Sequence, residues 1–195
     1  MSTFASHGQT PLYEPATPRF AAHKAVYAID PVTLAPERLF STSSADEDDQ
    51  QQQSDLDSRV GRDDATHINV LVLPHSAAPG KPGGGMVWVW AQITTSSKGA
   101  FADSAPMGSL ALGMPPRPGD SRTNASQLVS SGADDPTANI ARRLSTKFGR
   151  PVYLSLNNAG ATTGGLAAAG MGVSAAAERL AALERCLFME LKRVL

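Results

Sequence analysis

Apolar residues in this chain gather mostly in short alternating blocks, and only twice do they fall into helical spacing. Residues 19–29, Arg-Phe-Ala-Ala-His-Lys-Ala-Val-Tyr-Ala-Ile, form the first strand-like block; aromatic and β-branched residues favour it and alanines weaken it. Ile68-Asn-Val-Leu-Val-Leu73 is a β-branched run that stops at Pro74. Met86-Val-Trp-Val-Trp-Ala-Gln-Ile93 sets Met86, Trp88 and Trp90 on one face and Val87, Val89, Ala91 and Ile93 on the other. Both faces are apolar, which predicts a central strand covered on both sides. The turn-rich stretch 74–85 between these two runs predicts an antiparallel pair. Ser109–Met114, stopped by Pro115-Pro116, and Val152–Leu156 read as further strands.

Helical spacing first appears at Ile140, Leu144 and Phe148, with Ala141 beside them. Asp135 is the expected cap, Pro136 suits a first turn, and Gly149 with Pro151 provides the stop. Arg142, Arg143 and Lys147 fall off the apolar stripe. Lys147 and Arg150 lie at the helix C-terminus, where cations are favoured. A final helix is predicted from a Ser174 cap nearly to Leu195, with Leu180, Leu183, Leu187, Leu191 and Val194 as its stripe and Phe188 widening it. Early strands followed by late helices predict an α+β fold: a mainly antiparallel sheet or sandwich of about six strands with two α-helices, the last one C-terminal.

Two stretches stand apart. Residues 1–18 carry Gly8, Pro11, Pro15 and Pro18 and read as a flexible lead into a single domain, 19–195. Residues 41–66 hold eight of the 18 acidic residues, against Arg59 and Arg62 alone, with the run Gln50–Gln53 among them. Such a segment cannot bury enough apolar surface to offset its ordering entropy, so it predicts a disordered acidic insertion in the domain. A tolerated surface insertion is the plain reading and a regulatory acidic segment the sharper one.

Composition then changes the picture of charge. The whole chain is at −1, but without the insertion it has 15 basic and 10 acidic residues, a net of +5. The folded body is mildly basic and suits an acidic partner surface, while bulk charge excludes a strongly basic nucleic-acid binder. A single cysteine, Cys186, excludes an internal disulfide framework and a multi-cysteine zinc site. The longest strongly apolar run, Met86–Ala91, is far short of the roughly 20 residues that span a bilayer. The first residues lack the basic start and apolar block of a secretory signal, so a soluble intracellular protein is expected.

No catalytic or ligand constellation emerges. His7, His23, His67 and His75 have no metal-binding spacing, and an exposed histidine is expected at each. Cys186, beside a helical apolar stripe, reads as a small buried hydrophobe. Pro79–Gly85 contains Lys81 without the Gly-x-x-x-x-Gly-Lys-Ser/Thr order, and Gly160–Gly172 has no Gly-x-Gly-x-x-Gly after a strand. Ser174 is not in a nucleophile elbow. Asp134-Asp135 is explained by helix capping, and Asp63-Asp64 falls in the acidic insertion. Trp88 and Trp90 suit a core or a protein interface better than a stacking platform for ligands. Arg142, Arg143, Lys147 and Arg150 form a basic face that is either plain solvated surface or an acidic docking site. The expectation is therefore no catalytic, cofactor or metal residues. The rival readings are a small ligand- or nucleotide-binding module or enzyme using the loops near Lys81 or Gly164, and an adaptor that works through its acidic insertion.

The segment from about 86 to 195 resembles the proteasome assembly chaperone 4 family, as a fungal-type member with an acidic insertion. The pieces that carry this are Met86-Val-Trp-Val-Trp-Ala91, Gly108-Ser-Leu-Ala-Leu-Gly-Met114, and Thr137-Ala-Asn-Ile-Ala-Arg-Arg-Leu-Ser-Thr-Lys-Phe-Gly-Arg-Pro-Val-Tyr-Leu-Ser-Leu-Asn157. The last is similar to the family's alanine–arginine–leucine helix, basic turn and aromatic-bearing strand ending in Ser-x-Asn. Phe20–Ile29 and His67–Leu73 match the first two strands. The resemblance implies a non-enzymatic chaperone in the cytoplasm and also the nucleus. It implies a heterodimer with a proteasome assembly chaperone 3-type subunit. The pair binds alpha-type subunits, notably alpha-type 5, while the alpha ring of the 20S core particle forms, and leaves as beta subunits arrive. No cofactor, nucleic acid or membrane is implied. The residues expected to serve packing, pairing or docking are Trp88, Trp90, Leu187 and Leu191, with Arg142, Arg143, Lys147 and Arg150 as the basic docking candidates.

Overall fold

The computed structural model describes residues 22–30, 33, 35–43, 66–75, 85–94, 108–117, 119, 123–132, 135–157 and 173–195. The period-two blocks become strands β1 (His23–Ile29), β2 (Pro36–Ser43), β3 (Thr66–His75), β4 (Met86–Thr94), β5 (Ser109–Met114), β6 (Asn124–Val129) and β7 (Val152–Asn157). The two stretches of helical spacing become α1 (Thr137–Phe148) and α2 (Val173–Val194). The strands form one sheet in the order β2-β1-β3-β4-β7-β5-β6. Every neighbouring pair is antiparallel except β4 and β7, which run parallel in the middle. The α+β reading and the β3–β4 antiparallel pair therefore stand, with seven strands in a single sheet.

Register places Ala25, Tyr27 and Ile29, Ile68, Val70 and Val72, Val87, Val89, Ala91 and Ile93, and Val152, Leu154 and Leu156 on one face. Both helices lie on that face. Ile140, Ala141 and Leu144 of α1 and Leu183, Cys186, Leu187 and Leu191 of α2 complete one continuous core with these strand residues. Cys186 is wholly enclosed, and burial, reinforced by the Glu190 charge, pushes its thiol up to about 12.

Several expectations are corrected. β4 is central, but its two faces are buried unequally: Val87, Val89 and Ala91 are fully buried on the helical side, while Trp88 and Trp90 are half-buried on the other. β3 does not stop at Pro74 but runs on to His75. Ser41–Ser43 belong to β2 and Thr66 to β3, so the insertion is shorter at both ends than expected; 44–65 lies outside the described residues, as do 1–21 and 158–172. The cap position of α1 is Pro136, not Asp135. Asp135 serves the same end from one residue back, accepting from the Thr137 N–H at 3.0 Å and from the Ser131 N–H at 3.1 Å. Burial acts to raise its pKa, but hydrogen bonds from Ser109, Thr137 and Ser131 outweigh it and hold the carboxyl below its usual range. At the other end Gly149 adopts the left-handed conformation, with φ 64°, as the stop signal requires. α2 begins at Val173, so Ser174 lies inside it.

Gly113 sets how closely α1 approaches the sheet. A Cβ at this position would sit 2.2 Å from the Ala141 carbonyl oxygen, so the helix backbone rests directly on β5. Gly113→Ala is expected to force helix and strand apart and lower stability by about 1–3 kcal/mol. Thermal unfolding followed by circular dichroism checks this; an unchanged midpoint would show that α1 can ride outward without loss.

Candidate protein-binding faces

The face of the sheet away from the helices is organised in rows. Cross-strand register aligns Leu73, Trp88, Tyr153 and Leu112 in one row, and Leu71, Trp90, Ser155 and Leu110 in the next. The leucine, tryptophan and tyrosine side chains are half-buried, Ser155 is fully buried, and Met86 and Met114 at the margin are 41% and 44% exposed. Trp88 stacks on Tyr153 with ring centroids 5.6 Å apart and planes 8° from parallel. That offset keeps both rings upright as one surface. Between strands β3 and β5, with two-residue steps along each strand, the patch measures roughly 14 Å by 14 Å between Cα positions. Part-exposed apolar rows with large aromatic side chains are a candidate interaction surface.

The other end of this face is polar and enclosed. Val26, Asn69, Gln92 and Asn157 share a row, followed by His67 and Thr94. Asn69, Asn157 and His67 are buried, and Asn69 Nδ2 and Oδ1, His67 Nδ1 and the Ser155 hydroxyl make no hydrogen bond. The expectation of an exposed histidine is thus met at His75, which ends β3 rather than lying in a loop, and corrected at His67, which is enclosed with its neighbours. Burial disfavours its charged form and holds its pKa below the usual 6.5. The unfolded chain therefore takes up a proton at that position that the folded chain resists. Stability conferred by His67 is complete above pH 6.5 and is lost as pH falls below it. His67→Gln is expected to flatten the acid side of a plot of unfolding midpoint against pH, and a plot of unchanged slope would refute this.

A buried ionic clamp joins α2 to the sheet. Glu190 accepts a hydrogen bond from the Tyr27 hydroxyl and one from Arg38 Nη2 at 3.2 Å; Arg38 Nε lies 2.9 Å from Oε1, a charge contact without hydrogen-bond alignment. Burial raises the pKa of Glu190, opposed by the Tyr27 bond and the charge of His23. Burial and the neighbouring carboxylate together push the Tyr27 hydroxyl far up.

The singled-out residues separate into three groups. Trp88 and Trp90 stand together on the accessible sheet face. Leu187 and Leu191 are fully enclosed beneath α2, so they pack the chain's own core and present no accessible surface. Arg142, Arg143 and Lys147 are exposed on α1, with Arg150 half-buried just beyond it. Arg143 is already engaged with Glu184 of α2, Nη2 to Oε2 at 2.7 Å, and Lys147 lies over the Phe188 ring at 5.5 Å. Sequence reasoning missed Leu71, Leu73, Leu112 and Tyr153 as companions of the tryptophans. The signal was a second apolar alternation in β3, β5 and β7, in phase with Trp88 and Trp90. Lys81 and Gly164, on which the ligand-binding alternative rested, lie outside the described residues. Among those that are described, no cluster of three or more His, Cys, Asp or Glu side chains could hold a metal ion.

Among the described residues, the sheet thus carries both helices on one face, part-exposed apolar side chains on the other, and a basic flank on α1. The similarity found is to a class of protein, the chaperones of proteasome assembly. Residues 84–157 match the family model of proteasome assembly chaperone 4, and the resemblance read in the sequence holds over that segment. The segment comprises β4, β5, β6, α1 and β7, four strands adjacent in the sheet with the helix that covers them. A chain from the crystal structure of a novel chaperone complex for yeast 20S proteasome assembly is also similar, at 15% identity and a TM-score of 0.40, over 67% of this chain and 88% of that one. Comparison with curated proteins gives no match.

Proposed function

We propose that this protein is a proteasome assembly chaperone that acts by binding alone. It pairs through its apolar sheet face with a related chaperone of the proteasome assembly chaperone 3 type. With its basic helical flank it holds alpha-type subunits, notably alpha-type 5, while the alpha ring of the 20S core particle forms in the cytoplasm or nucleus. The observation that carries this reading is the row Leu73–Trp88–Tyr153–Leu112, large apolar side chains left half-buried on central strands whose other side is fully buried beneath the helices. Two such faces laid together form a sandwich core about 10 Å thick. Standard interfaces bury about 800 Å² per partner, so such a pairing extends beyond the patch onto its rim. The family match supports the assignment to proteasome assembly rather than to another binding task.

Co-expression with a proteasome assembly chaperone 3-type subunit tests it. The expected result is a one-to-one complex on size exclusion that captures purified alpha-type 5. A chain that stays monomeric and captures neither protein would end this reading. Arg142→Glu with Lys147→Glu is expected to weaken alpha-type 5 capture and its dependence on salt while leaving pairing intact, because those charges lie on the opposite side of the molecule from the sheet face. Equal capture by the double variant would remove the basic flank from the proposal.

A further inference from the structure

A cavity of about 580 Å³ opens on the outer surface of α2, lined by Pro36 at the head of β2 and by Ala181, Glu184, Arg185, Phe188 and Met189. Ala181, Glu184, Arg185 and Phe188 are spaced i, i+3, i+4 and i+7, so they form one stripe along the helix, turned away from the buried Leu183, Leu187 and Leu191. The groove is therefore apolar where a surface helix is ordinarily polar. Its only carboxylate, Glu184, is already held by Arg143. Arg185 is exposed on the rim, and Lys147 reaches the edge over Phe188; among the described residues neither has a carboxylate partner.

We infer that this groove docks an acidic amphipathic segment of a partner protein. Such a segment lays apolar side chains against Ala181, Phe188 and Met189 and sets carboxylates opposite Arg185 and Lys147. Charge selects this occupant: a second copy of the chain would bring the same basic helical surface and meet like charge, whereas an acidic helix neutralises the rim while filling the floor. The inference rests on the reading that the helical layer meets partner proteins, and it names the chemistry those partners must carry. Because the groove and the apolar sheet face lie on opposite sides, both can be occupied at once.

The test uses the full chain and a fluorescein-labelled peptide of about four helical turns, with leucine at i, i+3, i+4 and i+7 and glutamate on the flanks, alongside a twin with lysine in place of glutamate. Anisotropy should show binding of the glutamate peptide alone. Affinity should fall about tenfold in Arg185→Glu and be lost in Ala181→Trp, which fills the groove from an exposed position, and should be unchanged in Trp88→Asp. Equal binding of both peptides, no binding of either, or indifference to both groove substitutions would overturn the inference. So would binding seen only after residues 44–65 are deleted, which would make the chain's own acidic segment the occupant, or self-association that Ala181→Trp abolishes, which would make it a second copy. Alpha-type 5 capture, measured in parallel, separates the two claims. Capture without peptide binding removes the groove and leaves the chaperone reading; peptide binding without capture does the reverse.

Discussion

Trp88→Asp is expected to abolish the proposed pairing with a related chaperone while leaving the monomer folded. Trp88 sits mid-row between Leu73 and Tyr153, stacked on the latter, and is half-exposed before any partner arrives. Central aromatic residues of this kind dominate interface energies at about 2–4 kcal/mol each, or roughly 30- to 1,000-fold in affinity. An aspartate there adds the cost of burying a charge with no counter-ion. In the monomer the carboxylate remains in water, so the unfolding midpoint should move little. Val89→Asp, one residue along and wholly buried on the helical side, is the contrasting case and should prevent folding. Titration calorimetry of the purified pair together with thermal melts of each variant checks both. Undiminished pairing by Trp88→Asp would move the interface elsewhere.

Glu190→Ala is expected to cost about 1–3 kcal/mol of stability, because it leaves the buried Tyr27 hydroxyl without its acceptor and the partly exposed Arg38 without its carboxylate. Glu190 is 2% exposed and is the single acceptor that ties α2 to both β1, through Tyr27, and β2, through Arg38. Without it the Tyr27 hydroxyl faces a vacated space, and Arg38 must swing outward to find water. Glu190→Gln keeps an acceptor for Tyr27 but removes the charge opposite Arg38, so it should fall between alanine and the native chain. Calorimetric unfolding of the three proteins at one pH gives the order; an alanine variant as stable as the native chain would show that the clamp contributes orientation only.

Glu190 also shows where the sequence is legible and where it is not. It lies three residues after Leu187, on the apolar stripe of α2 and not on its polar face, so its position alone signalled burial. What the sequence could not supply was its partners, brought from strands more than a hundred residues earlier. The central strands and both helices were readable because packing on the core imposes a period. β2 and β6 were not: Pro-Glu-Arg-Leu-Phe-Ser-Thr-Ser and Asn-Ala-Ser-Gln-Leu-Val lie at the two edges of the sheet, and edge strands need no alternation. For β4 the pattern was read correctly but its meaning was incomplete. An apolar face buried within the chain and one left uncovered have the same sequence, so Trp88 and Trp90 implied cover that the chain's described elements do not provide. His67 was misjudged for the complementary reason, since enclosure of a polar strand residue depends on what lies over it.

The parallel seam between β4 and β7 has a consequence for how the molecule comes into being. Val87 is paired with Val152, so the seam closes only after β5, β6 and α1 have been made. During synthesis β1 to β4 emerge first and can zip up among themselves, which leaves the outer edge of β4, rich in valine and tryptophan, with its hydrogen-bonding groups unmatched. Distant pairings of this kind are late and slow. The chain thus passes through an interval in which its own nascent half most needs protection from aggregation.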